Sequence, residues 1–207
     1  MSDNIRTIII DYGLGNLRSV EKALESMDGN PVVSAYPDVV RKAKRLILPG
    51  VGAFGDAMEN LRSTGMDAAI REAAAAGTPI LGLCLGLQLL FTHSEEFGSH
   101  QGLDLIPGNV TKLDAPGLRV PHIGWNQLED IQPTPLLEGI MEGSYFYFVH
   151  SFYVAPVEET DALSWTDYGQ RFCSIAGRDN VFGVQFHPEK SQDNGKKLLR
   201  NFLNISQ

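Results

Sequence analysis

The order of apolar runs in the first ninety residues constrains this chain more than any other feature. Short β-branched segments alternate with stretches of helical periodicity, the pattern that gives parallel strands crossed by helices. From Arg6 onward TIIID (Thr7–Asp11) reads as a strand, and Leu17, Val20, Leu24 and Met27 then recur at helical spacing. PVVS and RLILPG supply two more strands, and the Ala- and Glu-rich stretch from Asp56 to about Gly77, broken at Ser63-Thr64-Gly65, predicts two helical pieces around a turn. TPILGL (Thr78–Leu83) is the next strand, and LGLQLLF after it carries helix-compatible spacing, which puts Cys84 at an abrupt strand-to-helix junction.

Beyond Gly98 the segments shorten and are broken by Gly and Pro. LDLIPGNVTKL, RVPHIGWNQL, YFYFVHSFYV and RFCSIAGRDNVFGVQF predict antiparallel strands and hairpins, and NGKKLLRNFL predicts a closing helix. The fold class expected is α/β: one domain over residues 1–207, with a mostly parallel central sheet flanked by helices and antiparallel strands in its second half. A length of 207 residues is enough for one substantial core.

A formal net charge of −8 with scattered Lys and Arg argues against a nucleic-acid partner, which would need clustered cations. No apolar run approaches the ~20 residues that span a bilayer, and MSDNIRT leads directly into the first strand pattern, so a cytoplasmic protein without a targeting segment is expected. The two cysteines, Cys84 and Cys173, have no metal-type spacing, and neither a metal nor a cofactor is expected.

Gly82-Leu83-Cys84-Leu85-Gly86 is a G-x-nucleophile-x-G pattern, in which small residues let strand and helix approach closely and force the central side chain into an exposed turn. A free cysteine taken alone is more often a small buried hydrophobe, so a base must be found elsewhere. Cys173 has no comparable turn. In VFGVQFHPEKS an apolar strand ends in His187, with Pro188 fixing the backbone and Glu189 able to orient the imidazole. The order Cys84, His187, Glu189 makes a triad for acyl chemistry. The developing oxyanion needs donors: the N–H of Leu85 follows the nucleophile, and PGVG (Pro49–Gly52) would bring that of Val51 to the same sheet edge, or be a plain turn.

Together PGVGAFGDAM, GLCLGLQLLF and FHPEKS resemble the triad class of glutamine amidotransferases. DYGLGNLRSV, VPHIGWN and YFVHSF narrow the resemblance to the branch that serves a cyclase of histidine biosynthesis. That resemblance implies a glutaminase that forms a γ-glutamyl thioester on Cys84 and passes ammonia to a (βα)₈-barrel cyclase subunit in a heterodimer. It also implies that Gly50, Gly52, Gln88, Glu96 and the backbone of His150-Ser151-Phe152 hold glutamine. Phe152 departs from the tyrosine common after His-Ser, which a main-chain role tolerates and a hydroxyl role does not. Gln88 read by itself is an exposed helix residue and Glu96 a solvated charge. Trp125 and Lys190 are expected toward the partner; otherwise one packs in the core and the other is a solvated cation. Two alternatives stay open: a glutaminase for a different synthase, and a non-catalytic regulatory relative.

Overall fold

In the computed structural model, which describes residues 7–205, the alternation resolves into an 11-stranded sheet and a separate two-stranded sheet. The segment MSDNIR, read above as free of a targeting signal, lies outside the described residues. The strands β1 (Thr7–Ile10), β2 (Pro31–Ser34), β3 (Arg45–Leu48) and β4 (Ile80–Leu83) are joined by helices α1 (Leu17–Glu25), α2 (Pro37–Arg41), α3 (Phe54–Ser63) and α4 (Met66–Ala75). After β4 come α5 (Leu85–Leu89), β5 (Phe91–Ser94), β6 (His100–Gln101), β7 (Ile106–Lys112) and β8 (His122–Gln127). The chain ends through β9 (Tyr145–His150), β10 (Phe152–Pro156), β11 (Ala162–Asp167), β12 (Arg171–Arg178), β13 (Val181–Val184) and α6 (Gln192–Asn204).

The sheet runs β2-β1-β3-β4-β13-β12-β10-β7-β5-β6, with β11 paired to β12. From β2 to β13 every neighbour is parallel, and beyond β13 the pairing is antiparallel except between β5 and β7. Strand alternation sends Ile8, Ile10, Leu46 and Leu48 to the face covered by α3 and α4, while Ile9, Ile47, Leu81 and Leu83 meet α1, α6 and the aromatic residues Phe146, Phe148 and Phe186.

Three expectations are corrected. The run LGLQLLF is not helical throughout: α5 stops at Leu89 and Phe91 opens β5. The Leu89 and Leu90 carbonyls are taken by the N–H groups of Leu103, Leu105 and Ile106, which ends the helix. YFYFVHSFYV is two strands in different sheets, since β9 pairs with β8 and β10 with β7 and β12. The hairpin from RFCSIAGRDNVFGVQF forms, but β13 lies parallel to β4, so the last strand completes the parallel block built at the start of the chain.

Candidate active site

Because β13 inserts beside β4, the carboxyl ends of β3, β4 and β13 stand next to one another, the usual place for a site in an open parallel sheet. The three ends deliver Pro49–Gly52, Cys84 and Gln185–His187. Leu83 is in register with Val184, and the Cys84 N–H donates to the Val184 carbonyl at 2.8 Å.

Cys84 has φ 54 and ψ −107, an uncommon conformation for a residue with a side chain. What permits it is the absence of side chains at Gly82 and Gly86. A Cβ on Gly86 would lie 1.8 Å from the Leu48 carbonyl oxygen, and one on Gly82 would lie 2.6 Å from the Gly86 backbone. The two glycines of the G-x-C-x-G pattern therefore have a close-packing reason.

Cys84, Leu85, Val51, Gly52, Gln88, Glu96, His150, Ser151, Phe152, His187 and Lys190 all line one cavity of about 300 Å³, together with Pro121 and Val149. That volume is at the small end of ligand sites, which run from roughly 300 to 1,000 Å³. Gly50 and Glu189 stand outside the cavity, behind His187 in a narrow cleft that Asn16 also lines. Glu189 Oε1 is 2.9 Å from His187 Nδ1, and the Glu189 side chain is only 1% exposed. Burial pulls the His187 imidazole down, but its interactions with the Cys84 thiol and with Glu189 prevail and raise it to about 10.

Several of the simpler readings do not survive. Gln88 is buried: its Nε2 donates to the Phe152 carbonyl at 3.0 Å and to Gln185 Oε1 at 3.2 Å. Glu96 accepts the Phe54 N–H at 2.7 Å and so caps α3 while facing the cavity. Trp125 is not core packing; it is 45% exposed on β8, its ring edge-on to Tyr147, and lines a shallow depression with Tyr145 and the start of α6. The exposed Lys190 ammonium is 6.0 Å from the Tyr147 ring centre.

Two groups at this site, Tyr12 and Gln185, went unread in the sequence as parts of it, while His122 was open there as a structural or site-lining residue. Tyr12, just past β1, donates its hydroxyl to the Pro49 carbonyl at 2.9 Å and so pins the PGVG loop from beneath. Burial, with Cys84 adding, pushes that hydroxyl up. Gln185 is fully buried with its Nε2 3.7 Å from the Cys84 sulfur. A polar residue inside the apolar run VFGVQF, two positions before His187 and hence on the same face of an extended chain, was the available signal. His122, on β8, lies 3.0 Å from His150, Nδ1 to Nε2, and His150 Nδ1 is 2.9 Å from the Phe152 carbonyl oxygen. Burial pushes His122 down to about 4 and His150 to about 3, so both rings are neutral near pH 7.

Residues 8–205 match the glutamine amidotransferase class-I family. The chain is 55% identical over 195 residues to the imidazole glycerol phosphate synthase subunit HisH of Moorella thermoacetica, with 94% of this chain and 92% of the relative covered. It is 52% identical over 200 residues to the subunit of the same name from Aquifex aeolicus, covering 96% of each. Among solved structures it is similar to PurLQS from Thermotoga maritima, with a TM-score of 0.74 at 23% identity, covering 96% of this chain and 97% of that one; this likeness bears on the fold alone.

Proposed function

The chain belongs to the class-I glutamine amidotransferases, in the branch of the imidazole glycerol phosphate synthase subunit HisH, and on that footing we propose that Cys84, His187 and Glu189 carry out its glutamine hydrolysis. It is a glutaminase that supplies a cyclase subunit in histidine biosynthesis. The observation that carries the residue assignment is the convergence of a strained Cys84 with His187 and the buried Glu189 behind it at two adjacent strand ends, those of β4 and β13.

In the reaction, the Cys84 thiolate attacks the carboxamide carbon of glutamine: the S–C bond forms as the C=O π bond breaks, and its electron pair moves to oxygen to give a tetrahedral oxyanion. The N–H groups of Leu85 and Val51 receive that oxygen. The imidazolium of His187, held by Glu189 at Nδ1, protonates the leaving nitrogen, and ammonia departs as the C–N bond breaks. Neutral His187 then takes a proton from water, which attacks the thioester and releases glutamate and the thiolate. A ring raised to about 10 holds its proton at neutral pH until the leaving group needs it.

Gly52, Gln88, Glu96 and the main chain of His150, Ser151 and Phe152 hold the substrate, while Gly50, outside the cavity, gives the loop room beside Tyr12 and Leu85. Gln88 has spent its N–H groups within the protein and offers Oε1, while Glu96 has one oxygen on α3 and the other for the substrate ammonium. Phe152 acts through its carbonyl, so the missing hydroxyl costs nothing at this contact. The proposal extends to a (βα)₈-barrel fold for the cyclase, to a heterodimer with Trp125 and Lys190 in its interface, and to one functional domain over residues 1–207. A cytoplasmic location suits a nucleophile that must remain a free thiol; no helix among the described residues is long and apolar enough to cross a membrane.

The test is Cys84→Ala in complex with the cyclase subunit. Glutamate release should disappear while product still forms from added ammonium salt, and Cys173→Ala should release glutamate as the parent does. Appreciable glutamine turnover by the Cys84 variant would remove the covalent mechanism.

A further inference from the structure

Gln185 presents a side-chain amide to the Cys84 sulfur. It follows β13 directly, is fully buried, and places Nε2 3.7 Å from Sγ. The orientation of the amide follows from its partners. The Phe152 carbonyl can only accept, and Gln88 meets it at 3.0 Å, so that end of Gln88 is its nitrogen. The same nitrogen lies 3.2 Å from Gln185, whose atom there must accept and is therefore Oε1. The end of Gln185 facing Cys84 is then an N–H donor. The far side of the Phe152 carbonyl fits the same order: Asn126, which also donates to the Asp167 carbonyl at 2.8 Å, lies 3.3 Å from His122 Nε2, and the two neutral rings continue the chain to Phe152.

We propose that Gln185 is a catalytic residue whose Nε2–H donates to the Cys84 sulfur and stabilises the thiolate form of the nucleophile. The sulfur has two contacts suited to its two states. As a thiol it donates to the Val149 carbonyl, 3.7 Å away; as a thiolate it can only accept, and Gln185 and His187 are the donors beside it. A thiolate accepts more strongly than a thiol, so the buried Gln185 N–H is better satisfied when the sulfur carries charge. The other titratable groups that face Cys84 or its cavity are Tyr12 beneath the loop, Glu189 behind His187, neutral His150, and Glu96 and Lys190 on the cavity wall.

This inference rests on the proposed role of Cys84, so its test reads thiol ionisation rather than glutamine turnover. Alkylation of Cys84 by iodoacetamide would be followed against pH in the full chain by peptide mass spectrometry, with fully buried Cys173 as the unreactive internal reference. In Gln185→Met, of similar size but without the donor, the midpoint of the rate profile should move up by roughly one pH unit, equivalent to about tenfold less thiolate at any pH below it. Gln185→Glu should move it further, because a carboxylate would face the sulfur. A role in packing alone would lower the melting temperature and leave the midpoint where it was. Should neither variant fold, the unsubstituted chain still decides: the Gln185 side-chain amide proton resonance should shift as Cys84 titrates. A parental midpoint in folded variants, or an amide resonance indifferent to Cys84, overturns the proposal. Glutamine turnover by Cys84→Ala would instead remove the nucleophile assignment and leave the alkylation profiles unaffected.

Discussion

Glu189 is almost fully buried against His187, and a carboxylate so placed matters mainly through the charge it lends the ring. Glu189→Gln keeps the shape and an oxygen acceptor but removes that charge, so kcat for glutamine in the complex should fall by roughly 10²–10⁴-fold with little change in KM. A change confined to KM in steady-state kinetics would make Glu189 a binding group. The second residue-scale device is the pair His122 and His150, both neutral in the fold with values near 4 and 3. Between those values and the ordinary histidine value near 6.5 the unfolded chain binds more protons, so this contribution is fully present above about pH 6.5 and is lost as the pH falls. Each ring adds a slope of up to about 1.4 kcal/mol per pH unit. His122→Gln should therefore show a flatter dependence of denaturant-measured stability on pH between 6.5 and 4.5 than the parent; an equal slope would clear the pair of responsibility.

At the scale of elements, the strand–turn–helix around Cys84 was legible because its geometry is local: two glycines and a nucleophile in five residues state the need for close packing. Gly86→Ala tests that need. Its methyl would meet the Leu48 carbonyl, so the variant should lose about 1–3 kcal/mol of stability and glutaminase activity together; a parental melting temperature would show that α5 has room to move. The PGVG loop was half legible. Glycines on both sides of Val51 suggest free peptide rotation, yet only Gly52, at φ +108, uses a glycine conformation. Gly50 is there for space, since a Cβ would lie 2.6 Å from the Tyr12 hydroxyl and 2.9 Å from Leu85 Cβ, and Gly50→Ala is for that reason a poor control for loop chemistry. Val51→Ala, which keeps the N–H and trims a half-exposed side chain, is the better partner for Val51→Pro. The proline variant should lose roughly 10²–10³-fold in kcat for glutamine in the complex and the alanine variant little. Near-normal kcat in Val51→Pro would mean the second oxyanion donor lies elsewhere.

At the scale of the whole molecule, what the sequence could not express is long-range pairing. Periodicity identifies a strand but not its neighbour, so nothing local says that β13 joins β4, or that YFYFVHSFYV divides between two sheets at Ser151. Both facts matter for assembly. The division frees β8 and β9 to form a hairpin whose inner residues Phe146 and Phe148 enter the core while Ile123, Trp125 and Tyr145 face outward, 60%, 45% and 51% exposed. Pro121 and Val149 of the same hairpin region line the cavity, so the apolar face runs to the mouth of the site, where Lys190 also stands. A face of this composition beside a site that releases ammonia is where the cyclase subunit should dock, since aromatic anchors dominate binding energy at protein interfaces. Trp125→Ala should weaken the complex by about 30-fold or more in Kd, the equivalent of roughly 2 kcal/mol, measured by titration calorimetry or sedimentation. Because Trp125 lies outside both the cavity and the core, the melting temperature of the isolated chain should hold, and excess cyclase should restore the parental rate of glutamine turnover in the complex. An unchanged Kd would move the interface off this hairpin, whereas a weakened complex that excess cyclase fails to rescue would give Trp125 a part in glutamine turnover as well as in holding the partner.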